Sequence, residues 1–356
     1  MSGNLEDAYV ASETPMVYYV NIHTALEQLR VKAEETKTAG PRVMVVGPDD
    51  VGKTTLCRML CNWAVRSGHL PIYVDLDVNQ NSISLPGTIS ALAVERTSLV
   101  DEGFSVDSQI SYHFGLKSIN DNPVLYRKLI TALRDTISLR SEQIMASLYS
   151  GVIINTSGSV KDEGYKSLVH TAEEFEVSII LVLDQERLRV ELKRDLPDYI
   201  KVLSLPKSGG VVLKSQDTRT QNKNLKIHEY FYGTSQKPLY PHSIEISFNE
   251  VNIYKIGAPQ LPDHLLPMGM KSEDNSTKIF AQPPTSQLIN HLLAVSYADD
   301  VDGDDKSSII ETNIAGFLVV TKVDQEKGTF TVLSPQPKPL PSNVLLVSEI
   351  QFVDLK

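Results

Sequence analysis

The spacing that most constrains this chain is Gly47-x-x-x-x-Gly52-Lys53-Thr54, inside VMVVGPDDVGKTTL at residues 43–56. Val43 to Val46 is a continuously apolar run, the pattern of a strand buried on both faces of a parallel sheet. From Thr54 to Arg66, the residues Leu56, Met59, Leu60, Trp63 and Ala64 recur at helical spacing. A strand that turns through glycine into a helix aims backbone N–H groups and the positive end of the helix at one point, which makes a phosphate cradle. Lys53 is expected to reach the terminal phosphates of ATP, and the Thr54 hydroxyl to meet Mg2+.

Strand and helix patterns alternate around this loop as far as about residue 235. A helix is expected at 22–37, strands at 71–77, 88–94, 110–114, 151–156, 177–184 and 199–206, and a long helix at 122–149 carrying Leu125, Leu129, Leu133, Ile137 and Leu139. The alternation predicts an α/β fold of the P-loop type, a parallel sheet with helices on both faces, over residues 40–235. Ligands then bind at the carboxyl ends of the strands. Beyond residue 240 short alternating segments take over, and a smaller β-rich domain is expected at 240–356.

Two further stretches carry chemistry. In PIYVDLD, Asp75 and Asp77 are two apart and are expected to share one strand face. Beside the loop strand, Asp77 would hold Mg2+ or take a proton from an attacking hydroxyl. In LPKSGGVVLKSQDTRTQNKNLKIHEYF (205–231), Lys207, Lys214, Arg219, Lys223 and Lys226 cluster after a Gly209-Gly210 pair. Such a basic segment can close over a nucleotide as a lid, here at about 207–228, or simply form a solvated basic face.

Composition narrows the remaining choices. The net charge of −10 confines any nucleic-acid contact to a local basic patch. The two cysteines, Cys57 and Cys61, sit four apart on the helix after the loop, which suggests core packing in a reducing compartment. No apolar run reaches the ~18 residues of a membrane helix, so no membrane partner is expected. DVDGDDKSSIIE (300–311) imitates a calcium loop, but Asp305 stands where glycine is required, and a solvated acidic loop is expected. TKVD (321–324) imitates a guanine-reading motif but lies between strand patterns, as a hairpin end would.

The stretches GPRVMVVGPDDVGKTT, LDVNQNSISLPGT, ELKRDLPDYIKVLSLPKSGGVV, EYFYGTSQKPLYPH and VLSPQPKPLPSNVLLVSEIQFVDLK resemble the Clp-type polyribonucleotide 5′-hydroxyl kinases. These are ATP-binding subunits of pre-mRNA cleavage and polyadenylation factors. The resemblance implies ATP and Mg2+ as ligands, a nuclear location, a cleavage-factor scaffold subunit as partner, and RNA 5′ ends as substrate. The tRNA-splicing endonuclease is a further implied partner. By the same resemblance Asp50, Val51, Gly52, Lys53, Thr54 and Thr55 form the phosphate loop, and Asp77 activates the RNA 5′-hydroxyl. Lys214, Arg219 and Lys223 stand at the positions of lid arginines, and Ser159 stands where a tryptophan stacks on RNA. Asn79 and Asn81 replace two glycines, and are expected to keep a left-handed backbone while their side chains crowd the approach. Residues 1–39 are expected to hold a remnant of the family's N-terminal region and a lead-in helix. Two readings follow: a subunit in which ATP serves assembly, with kinase activity weak or absent, and an active RNA kinase.

Overall fold

The computed structural model describes residues 14–100, 102–105, 108–257, 275–298 and 307–354. Two seven-stranded sheets organise them. The first contains β1 (Arg42–Val46), β2 (Ile72–Asp75), β3 (Thr88–Ala93), β4 (Ile110–His113), β5 (Val152–Asn155), β6 (Ile179–Leu183) and β7 (Lys201–Leu205), in the order β4-β3-β2-β5-β1-β6-β7. The strands β2, β5, β1, β6 and β7 are parallel, as the sequence suggests. The other two continue the sheet antiparallel, Val74 opposite Ala91 and Ile89 opposite Tyr112. A parallel return needs a crossover of a dozen or more residues, usually a helix, and the loop after Asp75 carries no helical pattern.

Alternate residues of β1 point to opposite cores. Val43 and Val45 pack with Tyr19 and Leu26 of α1 (Met16–Thr36) and with Leu56, Cys57, Leu60 and Cys61 of α2 (Lys53–Arg66). Met44 and Val46 join a cluster with Leu125, Leu129 and Leu133 of α3 (Pro123–Gln143). The long helix expected at 122–149 breaks at Ile144, and α4 (Met145–Ser150) follows. Leu139 lies off the buried stripe and is 63% exposed. On the same side as α3, α5 (Asp162–Glu174) contributes Leu168 and α6 (Glu186–Asp195) contributes Leu188. Both cysteines are free and buried. No described helix is long and apolar enough to cross a membrane.

After α7 (Gln216–Tyr232) comes the second sheet. Its strands are β8 (His242–Ser247), β9 (Asn252–Ile256), β10 (Ile279–Ala281), β11 (His291–Ser296), β12 (Ile314–Asp324), β13 (Thr329–Ser334) and β14 (Val344–Gln351), with a single helical turn, α8 (Ser307–Ile310), before β12. The order is β10-β9-β14-β11-β12-β13-β8. Thr321 to Asp324 end β12, and Asp324 pairs with Thr329 across the hairpin. The acidic residues 300–305 of the imitated calcium loop lie outside the described residues.

One face of this sheet, through Leu292, Ala294, Phe317, Val344, Leu346 and Ile350, shares a continuous cluster with Tyr112, Phe114, Tyr126 and Phe231 of the first half. Backbone bonds stitch the seam. Gly115 O accepts from Glu349 N at 2.8 Å and from Ser348 Oγ at 3.1 Å. Gly87 (φ +80) lies under Ile350, where an added Cβ would fall 2.6 Å from Cδ1. His113 is buried in the same seam, its Nε2 3.3 Å from Val347 O and its Nδ1 without a partner.

Candidate functional site

The site forms at the carboxyl ends of β1, β2 and β5. The chain leaves β1 at Gly47 and wraps through Asp50 (φ 56) and Gly52 (φ 91) into α2. Gly52 occupies a left-handed conformation that costs a side-chain-bearing residue energy. Lys53 is buried, and its Nζ donates to Gly47 O at 2.9 Å and Pro48 O at 2.7 Å. Burial lowers its pKa, while the charges of Asp77 and Asp49 oppose that shift. The Thr54 hydroxyl oxygen accepts from Asn155 Nδ2 at 3.2 Å.

The two aspartates differ in role. Asp75 closes β2 and is fully buried, and both its oxygens are occupied. Oδ1 accepts from Asp77 N (3.1 Å) and Asn155 Nδ2 (3.0 Å), and Oδ2 from Ser82 N (2.7 Å), the Ser82 hydroxyl and Tyr73 OH (3.2 Å). This carboxylate holds the loop together. Asp77 does not share a strand face with it, because β2 ends at Asp75 and Asp77 belongs to the following turn. There its Oδ1 accepts from Asn79 N at 2.9 Å and Gln80 N at 3.2 Å. Burial first, and then the Asp75 charge, raise the Asp77 pKa to about 6 against the pull of those N–H groups and Lys53.

Two cavities adjoin at Asp77. The first, about 470 Å3, is lined by Asp50, Val51, Gly52, Lys53, Thr54, Thr55 and Lys214, with Pro15, Met16, Tyr19, Met59 and Val211 as its apolar wall. The second, about 440 Å3, is lined by Asn79, Ser118, Ser157, Gly158, Ser159, Gln216, Arg219 and Lys223. Asp49, Asp77 and Gln80 line both. Gly47 contributes the carbonyl that receives Lys53.

The basic segment after β7 lines both cavities, Lys214 the first and Arg219 and Lys223 the second. Ser215 caps α7 by accepting from Thr218 N at 3.1 Å. Arg219, Lys223 and Lys226 follow at spacings of four and three, on one helix face. Arg219 donates to the Asp50 carboxylate and lies 3.5 Å from Asp49 Oδ2, and Lys214 N donates to Asp50 Oδ2 at 3.0 Å. Lys223 Nζ donates to Asn79 Oδ1 at 2.9 Å, and Lys226 Nζ donates to Asn81 O. Burial lowers the Lys226 pKa to about 8. Lys207 stands apart, paired with Asp184.

The expectation for the two asparagines needs correction. Neither has a positive φ. Asn81 is buried and turned inward, donating to Thr88 O (3.1 Å) and Ser90 Oγ (3.2 Å) and accepting from Ile83 N (2.9 Å) and Ser84 N (2.8 Å). Only Asn79 lines the second cavity. Asp49, Gln80 and Asn155 also belong to the site, though the loop spacing does not mark them. The rule that ligands gather at carboxyl ends of parallel strands would have singled out Asn155.

No group of three or more His, Cys, Asp or Glu suited to a metal occurs among the described residues. The oxygens available to Mg2+ are the Thr54 hydroxyl, with one lone pair taken by Asn155, and the Asp77 carboxylate, whose Oδ1 is engaged by two backbone N–H groups. One hydroxyl and one carboxylate, completed by phosphate oxygens and water, fit the way Mg2+ is held beside nucleotides.

Comparisons with known proteins agree along the chain. Residues 1–33 match the N-terminal β-sandwich domain of polyadenylation factor, 47–233 the mRNA cleavage and polyadenylation factor CLP1 P-loop, and 239–354 the pre-mRNA cleavage complex II protein Clp1. The protein CLP1 homolog of Culex quinquefasciatus is 52% identical over 354 residues, 99% of this chain and 82% of that relative. The polyribonucleotide 5′-hydroxyl-kinase Clp1 of Homo sapiens is 51% identical over 356 residues, 100% of this chain and 83% of its own. Among solved structures, the wild-type Clp1p–Pcf11p complex aligns with a TM-score of 0.81 at 26% identity, covering 96% of this chain and 80% of the other. A second structure concerning the Pcf11p–Clp1p interface and the basis of ATP loss in a point mutant also gives 0.81, at 27% identity over 95% and 80% of the two chains.

Proposed function

The chain belongs to the Clp1 family, and we propose that it is an ATP-binding subunit of the pre-mRNA 3′-end cleavage and polyadenylation machinery with a weakened capacity for phosphoryl transfer to RNA 5′-hydroxyls. The observation that carries this reading is Asp77, shared by a phosphate-loop cavity on one side and a hydroxyl- and amide-lined cavity on the other. A triphosphate on Lys53 and the loop amides presents its γ-phosphorus toward that junction. A 5′-hydroxyl in the second cavity attacks in line and gives its proton to Asp77. The new P–O bond forms as the bond to the β-phosphate oxygen breaks, and ADP leaves. A carboxylate with its pKa raised to about 6 is a better proton acceptor than an ordinary aspartate. Mg2+, when bound with the nucleotide at Thr54, would neutralise charge on the phosphate oxygens, leaving the Asp77 carboxylate free to take the proton.

Three residues support a reduced rate. Ser159 offers no ring for a base, where stacking is worth ~1–3 kcal/mol. Lys214 and Lys223 are point charges without the two-pronged grip of a guanidinium. Lys223 is also engaged with Asn79. We expect transfer roughly 100- to 10,000-fold slower than by the human relative. The kept pair Asp77 and Arg219, both at the junction, favours the second reading, an active kinase acting in tRNA splicing and RNA 5′-end phosphorylation.

Labelled phosphate transfer to a 5′-hydroxyl RNA separates the two. A rate within about tenfold of the human relative would establish the second reading. Gain of activity in Ser159→Trp combined with Lys214→Arg and Lys223→Arg would support the first. In either reading the protein works in the nucleus, and immunoprecipitation from nuclear extract should recover a cleavage-factor scaffold subunit. Recovery of tRNA-splicing endonuclease subunits would add the second pathway.

A further inference from the structure

Asn155 ends β5, between β2 and β1, and is fully buried. Its Nδ2 donates both to Asp75 Oδ1 at 3.0 Å and to Thr54 Oγ1 at 3.2 Å. An ionised carboxylate only accepts, so the atom beside Asp75 must be the nitrogen, which fixes which way the amide points. Both amide hydrogens are then in use. Oδ1 is closed to solvent and has no hydrogen-bond partner. Thr54 Oγ1 has two lone pairs and one proton, and Asn155 uses one lone pair. The other stays available to a cation.

We infer that Asn155 is a positioning residue for the cation of the nucleotide site. Its amide holds the Thr54 hydroxyl in one orientation, leaving that oxygen's second lone pair to the cation. Asp75, itself saturated with donors, anchors the amide from behind. The inference rests on the reading of this cavity as a Mg2+–ATP site. A purely structural tie between β5 and the Asp75 loop would support the fold without distinguishing nucleotide with Mg2+ from nucleotide without it.

The test is calorimetry of ATP binding to the full chain, once with MgCl2 and once with EDTA, for wild type, Asn155→Ala and Asn155→Ser, with thermal unfolding recorded for each. Wild type should bind ATP more tightly with Mg2+. In Asn155→Ala the affinity in EDTA should stay near wild type while the Mg2+-linked gain falls roughly 10- to 100-fold. Asn155→Ser has one donor for two acceptors, and should lose part of the gain if the alanine variant does not fold. On a Thr54→Val background, Asn155→Ala should remove nothing further, because the group it orients is gone. Retention of the full gain by both Asn155 variants, or an equal loss with and without Mg2+, overturns the inference and leaves the ATP site standing. A wild-type chain that binds ATP under neither condition overturns the reading of the site itself.

Discussion

Arg219 and Asp50 stand 169 residues apart in the chain and meet between the two cavities, the guanidinium donating to the carboxylate. The basic face of α7 is thus tied to the phosphate loop by the loop's own acid. In the function proposed, triphosphate oxygens would compete with Asp50 for Arg219. Asp50→Asn keeps a residue type that tolerates the positive φ and removes the charge. We expect ATP to bind about 3- to 10-fold more tightly to this variant, part of a charged hydrogen bond worth ~1.5–3 kcal/mol. Calorimetry measures this, and weaker binding than wild type would show that Asp50 does not compete for Arg219.

Lys53→Ala should lower ATP affinity roughly 10- to 100-fold, because it removes the buried cation of the loop itself. Its effect on stability should be the reverse of most core truncations. Burial already disfavours the ammonium form, so the variant should unfold no lower than wild type. Fluorescence-monitored melting without nucleotide checks this half of the prediction.

Asp77 makes stability pH-dependent in a definite direction. Its folded pKa of about 6 exceeds the ordinary 3.8, so between those values the folded chain holds a proton that the unfolded chain releases. That contribution is present at low pH and is lost as pH rises through the window. Asp77→Asn cannot titrate, and its Oδ1 can still accept from Asn79 and Gln80. The variant's advantage over wild type should therefore grow from near zero below pH 4 to about 2–3 kcal/mol above pH 6, while phosphoryl transfer is abolished. Urea titrations across the window measure the difference. A variant less stable than wild type at pH 7 would contradict the buried-carboxylate account.

His113 acts in the opposite sense. Burial lowers its pKa from 6.5 to about 4, with the bond to Val347 O opposing. Below 6.5 the unfolded chain takes up a proton that the folded seam refuses, so stability is lost as pH falls toward 4. The Asp77 and His113 slopes oppose each other in wild type. His113→Gln should lose this part of the pH dependence, so its stability relative to wild type should rise as pH drops from about 6 to 4. The same urea series reads it, and an unchanged slope would remove His113 from the account.

Much of this architecture is legible in the sequence, and what is not has physical causes. The phosphate loop is readable because glycine spacing and a strand-to-helix switch leave few alternatives. The five parallel strands follow from apolar runs separated by helices. Strand direction at residues 88–94 and 110–114 is hidden, because a short apolar run carries no polarity of its own. The break at Ile144 is hidden too, since helical spacing persists locally on both sides of it. Asp77 reaches the site through a turn whose bonds to Asn79 and Gln80 form only once the loop folds back. The inward turn of Asn81 depends on Thr88 and Ser90, on a strand whose pairing the sequence does not announce.

The position of β14 bears on how the protein comes into being. It lies between β9 and β11, and both precede it in the chain. On the ribosome, the first sheet has all its strands once β7 has emerged, whereas β9 and β11 must wait as two open edges until β14 arrives to join them. Gly115 waits equally long, since its carbonyl takes its seam partners from Ser348 and Glu349. Open edges invite pairing with other chains. Those two edges, and the part of the shared core that β14 covers, stay open until the last strand arrives.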